Sequence, residues 1–467
     1  GSEAGEGTFP TAPKETGSVT ITEGASGTVA IAVTDRVMSK DVIAAGKVST
    51  GGNNYDYEND PELGNKEGSK VYAAEAPTEG ADNDLVAADL RGLDYYDETW
   101  GLLLDQLDFE KDYDQIKSML FNHNYNTAAI ESIGFDEAKN FDGPVGLTMT
   151  FGAGIDATGA GACAYPSEVV VASTYNTALV KELGEMIGQE AFQFQTGEGV
   201  YTNGWYAPGL NTHRSPFNGR NFEYYSEDGL LAGKMGAAII TGASSQGLVC
   251  YMKHFVLNDK ELTQKLIYTW RTEQTFREIY LRPWEIAIKE ATMTLKYIDQ
   301  GENATRVMRA STGIMTSHNH VGATWAGSHY NLLTELVRGE WGYQGCIVTD
   351  NATGYGTSFD RMVRSGNDMW MGANMGNACA YDMTSNTAKS VMRNAIHNIV
   401  YSYVNSNMMN GLAPGGYAYY DMSPWAIGFM IGDIVVGLLV IGGIVWIVLR
   451  LLDEKKHPEK YKHKGTV

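Results

Sequence analysis

The chain has 467 residues, 43% hydrophobic and 11% aromatic, enough for one large barrel with additions or for two to three domains. Its 56 Asp and Glu against 35 Lys and Arg give a formal net charge of −21, which argues against nucleic-acid binding, because phosphate contacts need basic side chains. The four cysteines, Cys163, Cys250, Cys346 and Cys379, show no CxxC or Cys/His spacing, so buried free thiols are expected and no metal site.

The opening GSEAGEGTFP has neither Met nor a signal peptide and reads as a processed start. Residues 1–83 are rich in Gly, Ser, Thr, Glu and Asn and read as an irregular extension running over a larger body. Within it, VTITEGASGTVAIAV (19–33) suits a small hairpin, and 49–68 reads as loop. From residue 84 the pattern changes to alternating helices and strands. LVAADLRGLDYYDETWGLLLDQL is amphipathic at helical spacing, and 168–194 predicts one long helix. Residues 273–291 and 331–341 predict further helices, between the short apolar strands GLVCYM (247–252), TGIMTS (312–317) and Cys346–Val348. Alternating β and α units imply a parallel sheet, and about 330 residues of them suit an α/β fold of the (β/α)8 TIM-like barrel kind over residues 84–410. No GxGxxG or Walker loop follows an early strand, so no nucleotide cofactor is expected.

The residues just past each strand carry the chemistry. GLVCYM runs into Lys253-His254, TGIMTS into His318-Asn319, and the strand of Cys346 into Asp350-Asn351, while FDGPVGL offers Asp142. The stretch APGLNTHRSPFNGRNFEYYSED adds Arg220, Asn221, Glu223, Glu227 and Asp228. Taken singly, each has a plain explanation: a satisfied core histidine, an Arg220–Glu223 ion pair, Asp228 or Asp350 as a helix cap. In barrels, however, polar residues at the C-terminal strand ends form the active site, and several strands here end the same way. Carboxylates, an Arg, a Lys-His pair and amides without metal spacing suit a hydroxyl-rich ligand. Glycoside hydrolysis needs two carboxyl groups across the scissile bond, and Asp350, rigidly placed at a strand end, is the expected nucleophile.

The stretches GLNTHRSPFNGRNFEYYSED, MKHFVLNDKE, REIYLRPWEIAIKEA, EWGYQGCIVTDN and SGNDMWM together resemble the catalytic barrel of glycoside hydrolase family 3, over roughly residues 85–410. The resemblance implies a retaining, exo-acting β-glucosidase-like hydrolase of terminal sugars. Asp350 matches the nucleophile; Asp142, Arg220, Lys253 and His254 match the sugar-binding residues; Met315 and His318 fall where members place a Met and an aromatic, usually Tyr. Two departures stand beside the sugar: His318 in place of that Tyr, and Asn351 where many members carry Trp. A third concerns the acid/base. In β-glucosidase-type members it is a Glu of an α/β-sandwich domain, and another branch carries it as a His after Lys-His, which KHFVLNDKELTQ lacks. The resemblance therefore implies sandwich and fibronectin-like domains from the same precursor or a partner chain, as in circularly permuted members. The alternative is a membrane-anchored carbohydrate-binding barrel without turnover; a structural scaffold explains the strand-end residues least.

Beyond a linker at 411–424, residues 425–450 are almost wholly apolar, long enough to span a bilayer as helix, with Trp425 and Trp446 near the ends. The tail 451–467 is basic, so the positive-inside rule predicts a single-pass plasma-membrane protein with a cytoplasmic tail and an extracellular barrel; the expected setting of the β-glucosidase-like reading is a bacterial cell surface. Asp433 interrupts the span at a cost of about 2.5–3.5 kcal/mol on insertion scales. A shift toward the headgroups would relieve it better than a partner helix at the Gly428/Gly432 pair.

Overall fold

The computed structural model describes residues 18–23, 27–32, 55–123, 125–148, 162–193, 202–262, 264–299, 301–322, 324–352, 359–372, 381–408 and 424–461. It divides into two units, Gly1–Pro414 and Gly415–Val467.

The first unit opens with β1 (Ser18–Glu23) and β2 (Gly27–Ala32), an antiparallel pair where the sequence suggested a hairpin. Residues 55–72 carry no strand or long helix, yet they are pinned down: Leu63 is buried, Arg364 Nη1 donates to its carbonyl at 2.9 Å, and Arg361 grips Asp60 and Glu62. Then come α1 (Thr99–Leu104), α2 (Tyr113–Phe121), β3 (Asn126–Thr127) and β4 (Ala138–Asp142). They are followed by α3 (Glu168–Ala172), α4 (Thr177–Gln193), β5 (Thr202–Tyr206), α5 (Gly229–Ser245) and β6 (Val249–Phe255). After β7 (Tyr268–Thr269) and α6 (Arg282–Glu290) stand β8 (Thr292–Asp299), β9 (Glu302–Arg309) and β10 (Gly313–Thr316). The short β11 (His320–Val321) and β12 (Thr324–Trp325), then β13 (Cys346–Thr349), α7 (Phe359–Arg364) and α8 (Asn386–Val404), complete the unit.

The central sheet has six strands in the order β13-β10-β6-β5-β4-β3. β4, β5, β6, β10 and β13 run parallel and β3 is antiparallel to β4. Single parallel bridges join Val348 to Met369 and His123 to Met371, so backbone pairing continues from β13 through residues 369–371 to the chain just ahead of β3. Eight parallel strands are therefore not found among the described residues. The link from β3 to β4, turning at Ile130–Phe135 and Gly134, is too short for the crossover that a parallel pair needs. The core lies between this sheet and its helices, with Trp205, Trp284, Trp325 and Trp370 fully buried.

Two expectations need correction. The helix over 168–194 is broken: Tyr175 sits at φ 51, the Ser173 and Thr174 hydroxyls bond back to the Val169 and Val171 carbonyls, and Asn176 Oδ1 accepts from Leu179 N–H to start α4 afresh. β6 is longer than GLVCYM, so Lys253 and His254 lie inside the strand and not beyond it. Between α6 and β10, where no element was named from sequence, stands the β8–β9 hairpin, turning at Gly301 with φ 86, with Met293 and Leu295 buried on one face. The 331–341 helix is present as a π-type helix, Asn331–Glu340.

Among its described residues the second unit holds one long helix, α9 (Pro424–Lys456), followed by a short turn. Its stretch Ile427–Lys456 is long and apolar enough to cross a membrane, by length and composition alone.

Candidate active site

Parallel strands bring their C-terminal ends to one edge of the sheet, and three of them carry the acidic and basic groups there. β4 ends on Asp142, whose Oδ1 accepts from Lys253 Nζ at 2.8 Å and from Gly143 N–H at 2.8 Å. Lys253 is only 3% exposed and also lies 3.4 Å from Glu223 Oε2, so its charge is taken up between two carboxylates.

Asp350 follows β13 directly. Its amide donates to the Thr316 carbonyl at 2.9 Å and its Oδ1 accepts from Asn351 N–H at 2.7 Å. Oδ2 faces two histidines, with His318 Nε2 at 3.3 Å and His254 Nε2 at 3.7 Å. They play different parts. His254 Nε2 lies 2.9 Å from Arg220 Nη2, a pure donor, so Nε2 must accept and the ring proton sits on Nδ1, facing the Tyr224 hydroxyl at 3.2 Å. Burial, with Arg220 and Lys253 nearby, holds the His254 pKa well below its usual value, so the ring is neutral and makes no ion pair with Asp350. Burial also lowers the His318 pKa, against the pull of Asp350. The Nε2–H tautomer of a neutral His318 is the one that fits a carboxylate oxygen at that distance.

Arg220 is the hub. Its Nε binds Glu223, its Nη1 reaches Glu261 Oε1 at 3.2 Å, and its Nη2 holds His254. The guanidinium fork thus fixes the angle between the loop after β5 and the loop after β6. Asn211 adds a second clamp, exchanging two bonds with the His254 backbone at 2.8 and 3.1 Å.

The structure brings together Asp142, Arg220, Lys253, His254, His318 and Asp350 of the residues named from sequence. Met315 is buried in the core on β10, in register with Val348. Asp228 takes its plain role: it caps α5, accepting from the Leu230 and Leu231 amides at 2.7 and 3.2 Å. Cys250 and Cys346 are buried thiols and Cys163 is exposed; Cys379 lies outside the described residues. Among the described residues no cluster of three or more His, Cys, Asp or Glu could hold a metal.

Sequence reasoning missed Glu168. At the start of α3 it looks like an ordinary first-turn acid. It is buried, and both its oxygens lie within 3.0–3.1 Å of Gly209 N. The segment it clamps brackets the backbone of Lys253, since Lys253 N–H donates to the Pro208 carbonyl at 2.9 Å and Leu210 N–H to the Lys253 carbonyl at 2.8 Å. Burial raises the Glu168 pKa well above the usual carboxyl range, against the Gly209 amide and Lys253. The only signal in the sequence was a charged residue opening an otherwise apolar run.

Residues 121–374, which contain every member of this cluster, match the family described as the glycosyl hydrolase family 3 N terminal domain. The chain belongs to glycoside hydrolase family 3. Among curated relatives it is 35% identical over 243 residues to Beta-glucosidase A of Butyrivibrio fibrisolvens, covering 52% of this chain and 26% of that protein. It is 32% identical over 248 residues to a Beta-glucosidase of Rhizobium radiobacter, covering 53% and 27%. The chain thus spans about a quarter of the length of these relatives. Among solved structures, a β-glucosidase from Paenibacillus barengoltzii aligns with a TM-score of 0.57 at 27% identity, covering 75% of this chain and 38% of that one. Beta-glucosidase 3B from Thermotoga neapolitana, in complex with glycerol, aligns with a TM-score of 0.54 at 26% identity, covering 66% and 43%.

Proposed function

We propose that the chain supplies the sugar-binding and nucleophile half of a retaining, exo-acting β-glycosidase of β-glucosidase type, anchored at a bacterial cell surface by α9. The observation that carries this reading is the convergence of Asp142, Lys253, Arg220 and His254 on the strand-end edge that presents Asp350. It is supported by relatives named as β-glucosidases.

In this reading Asp142, Lys253 and Arg220 bind hydroxyls of the terminal sugar, and His254, kept neutral, offers no competing charge to the nucleophile. Asp350 attacks the anomeric carbon as the glycosidic C–O bond breaks, giving a glycosyl ester. A general acid gives its proton to the leaving oxygen. Water then attacks the ester, loses its proton to the same group, and releases the sugar and Asp350. Glu223 and Glu261 are both bound to Arg220, so the acid/base is assigned to a Glu of a sandwich domain supplied by the precursor or a partner chain. That same engagement favours the second reading, a sugar-binding barrel without turnover.

An activated aryl β-glucoside with fluorine at the sugar 2-position separates them, using the full assembly purified from membranes. A mass gain of one fluoroglucosyl group mapping to Asp350 is the expected result. Glucose binding without any labelling gives the second reading. Protease protection of the tail in intact cells tests the orientation; a tail digested from outside overturns it.

A further inference from the structure

Arg91 has no part in the strand-end site. It is partly buried in the segment ahead of α1, and burial pushes its guanidinium down to about 10. Buried charges are ordinarily paired. Arg91 meets only carbonyls: its Nε donates to Lys296 O at 3.0 Å, and its Nη1 to Val404 O and Ser406 O at 2.6 Å each. Those bonds make it a C-cap for α8, which accounts for Nε and Nη1. They leave the Nη2 amino group donating to no described residue and the charge without a carboxylate partner among them.

Two cavities meet at this residue. One, of about 330 Å³, lies between the end of α5, the β8 strand and residues 405–407. The other, of about 430 Å³, lies along the hairpin. Both are lined by Arg91 and Lys296, and among the described residues neither by an Asp or Glu, in a chain with 56 of them in 467 residues. Lys296 is exposed on β8 and forms no ion pair among the described residues. The nearby acids are turned to other work. Asp89 holds the Val86 amide and Asp94 pairs with Arg306 at 2.6 Å, while Asp299 and Glu302, paired in register at the hairpin tip, are not among the described residues that line either cavity. The rest of the lining mixes uncharged polar side chains, Ser245, Gln246, Asn405 and Thr305 among them, with apolar ones such as Met293 and Ile298.

The place is remote from Asp350. Asn407 donates to the Thr202 carbonyl at the start of β5, and its own amide donates to Gly247 O just ahead of β6. These are the N-terminal ends of the strands whose C-terminal ends carry the acidic cluster.

We propose that the paired cavities at Arg91 and Lys296 form a second site that takes a phosphate group. The Arg91 Nη2 amino group and a lysine ammonium suit an anion with several acceptor oxygens. The group is carried either by a small soluble phosphorylated compound or by a phospholipid headgroup.

Inorganic phosphate is the probe, titrated calorimetrically into the full chain in neutral micelles, with chloride matching the ionic strength. Phosphate raises melting temperatures by exclusion alone, so direct heat is read in place of a thermal shift. Arg91→Ala also removes the α8 cap, so the decisive variants are Lys296→Ala and Lys296→Glu on the exposed hairpin face. Saturable binding is expected in the wild type, weaker by about fivefold or more in Lys296→Ala and absent in Lys296→Glu. No saturable heat in the wild type, or equal affinity in Lys296→Glu, overturns the site. Micelles doped with phosphatidylglycerol separate the sources: lost phosphate binding assigns a lipid headgroup, and retained binding a soluble phosphate.

Discussion

At the scale of single residues the site is a problem in charge placement. Asp350 has its backbone fixed to β10 and its Oδ1 turned to its own chain, which leaves Oδ2 facing the histidines. Asp350→Asn keeps both the shape and the Asn351 contact, so it is expected to fold normally and lose turnover by on the order of 10⁴-fold or more; full turnover in that variant would remove Asp350 as nucleophile. Glu168 gives a second test. Burial raises its pKa and so favours the neutral carboxyl, which Gln matches in charge and shape, so Glu168→Gln should cost under about 1 kcal/mol. Glu168→Ala strands the Gly209 amide and opens a void, at about 2–3 kcal/mol in urea unfolding, with weaker sugar binding through the Lys253 segment. Equal losses in the two variants would show that the charge, not the hydrogen bond, matters there.

At the scale of elements, the sequence carried the strand-end chemistry well and the strand geometry less well. Asp142, Lys253, His254, His318 and Asp350 could be found because short apolar runs end on polar residues, a signal that survives errors of a few positions. The continuation of β6 through Lys253-His254 could not, because polar residues buried inside a strand are indistinguishable from residues beyond it until the neighbours are known. The break between α3 and α4 was hidden by a helical period that persists on both sides, while the local hydroxyl bonds of Ser173 and Thr174 decide the outcome. The hairpin was legible in principle, since TMTLKYID alternates and DQGEN supplies a turn. Glu168 lay beyond reach, since its partner is a backbone amide some forty positions away. Asp228 measures how much one element end contributes. With both capping bonds lost, Asp228→Ala should lower unfolding stability by about 1 kcal/mol and leave sugar affinity unchanged. A change in affinity would tie the cap to the site.

For the whole molecule, buried titratable groups set the response to acid. Burial lowers the pKa of His123 and His329 to about 3, of His320 and His397 to about 4, and those of His254 and His318 in direction. As pH falls through the unfolded histidine value of about 6.5, the unfolded chain takes up protons that the folded one refuses, and stability is lost. Four carboxyls oppose this. Burial raises Asp360 to about 7 and Asp259 and Asp368 to about 6, and Glu168 in direction, so the folded chain holds their protons before the unfolded one does. Near pH 5 the four histidines at about 3–4 act against the three carboxyls at about 6–7, while His254 and Glu168 oppose each other, a net of about one proton favouring the unfolded state, or roughly 1–2 kcal/mol per pH unit. Above pH 7 the histidine contribution vanishes and only the carboxyl protons remain to be lost, so stability should peak near pH 6–7 and fall steeply toward pH 4.5. Urea unfolding of the full chain at half-unit steps reads this directly. A flat profile from pH 7 to 5 would mean that buried histidines take up protons without unfolding, His254 and His318 beside Asp350 among them, and the neutral imidazoles assigned to the site would have to be withdrawn.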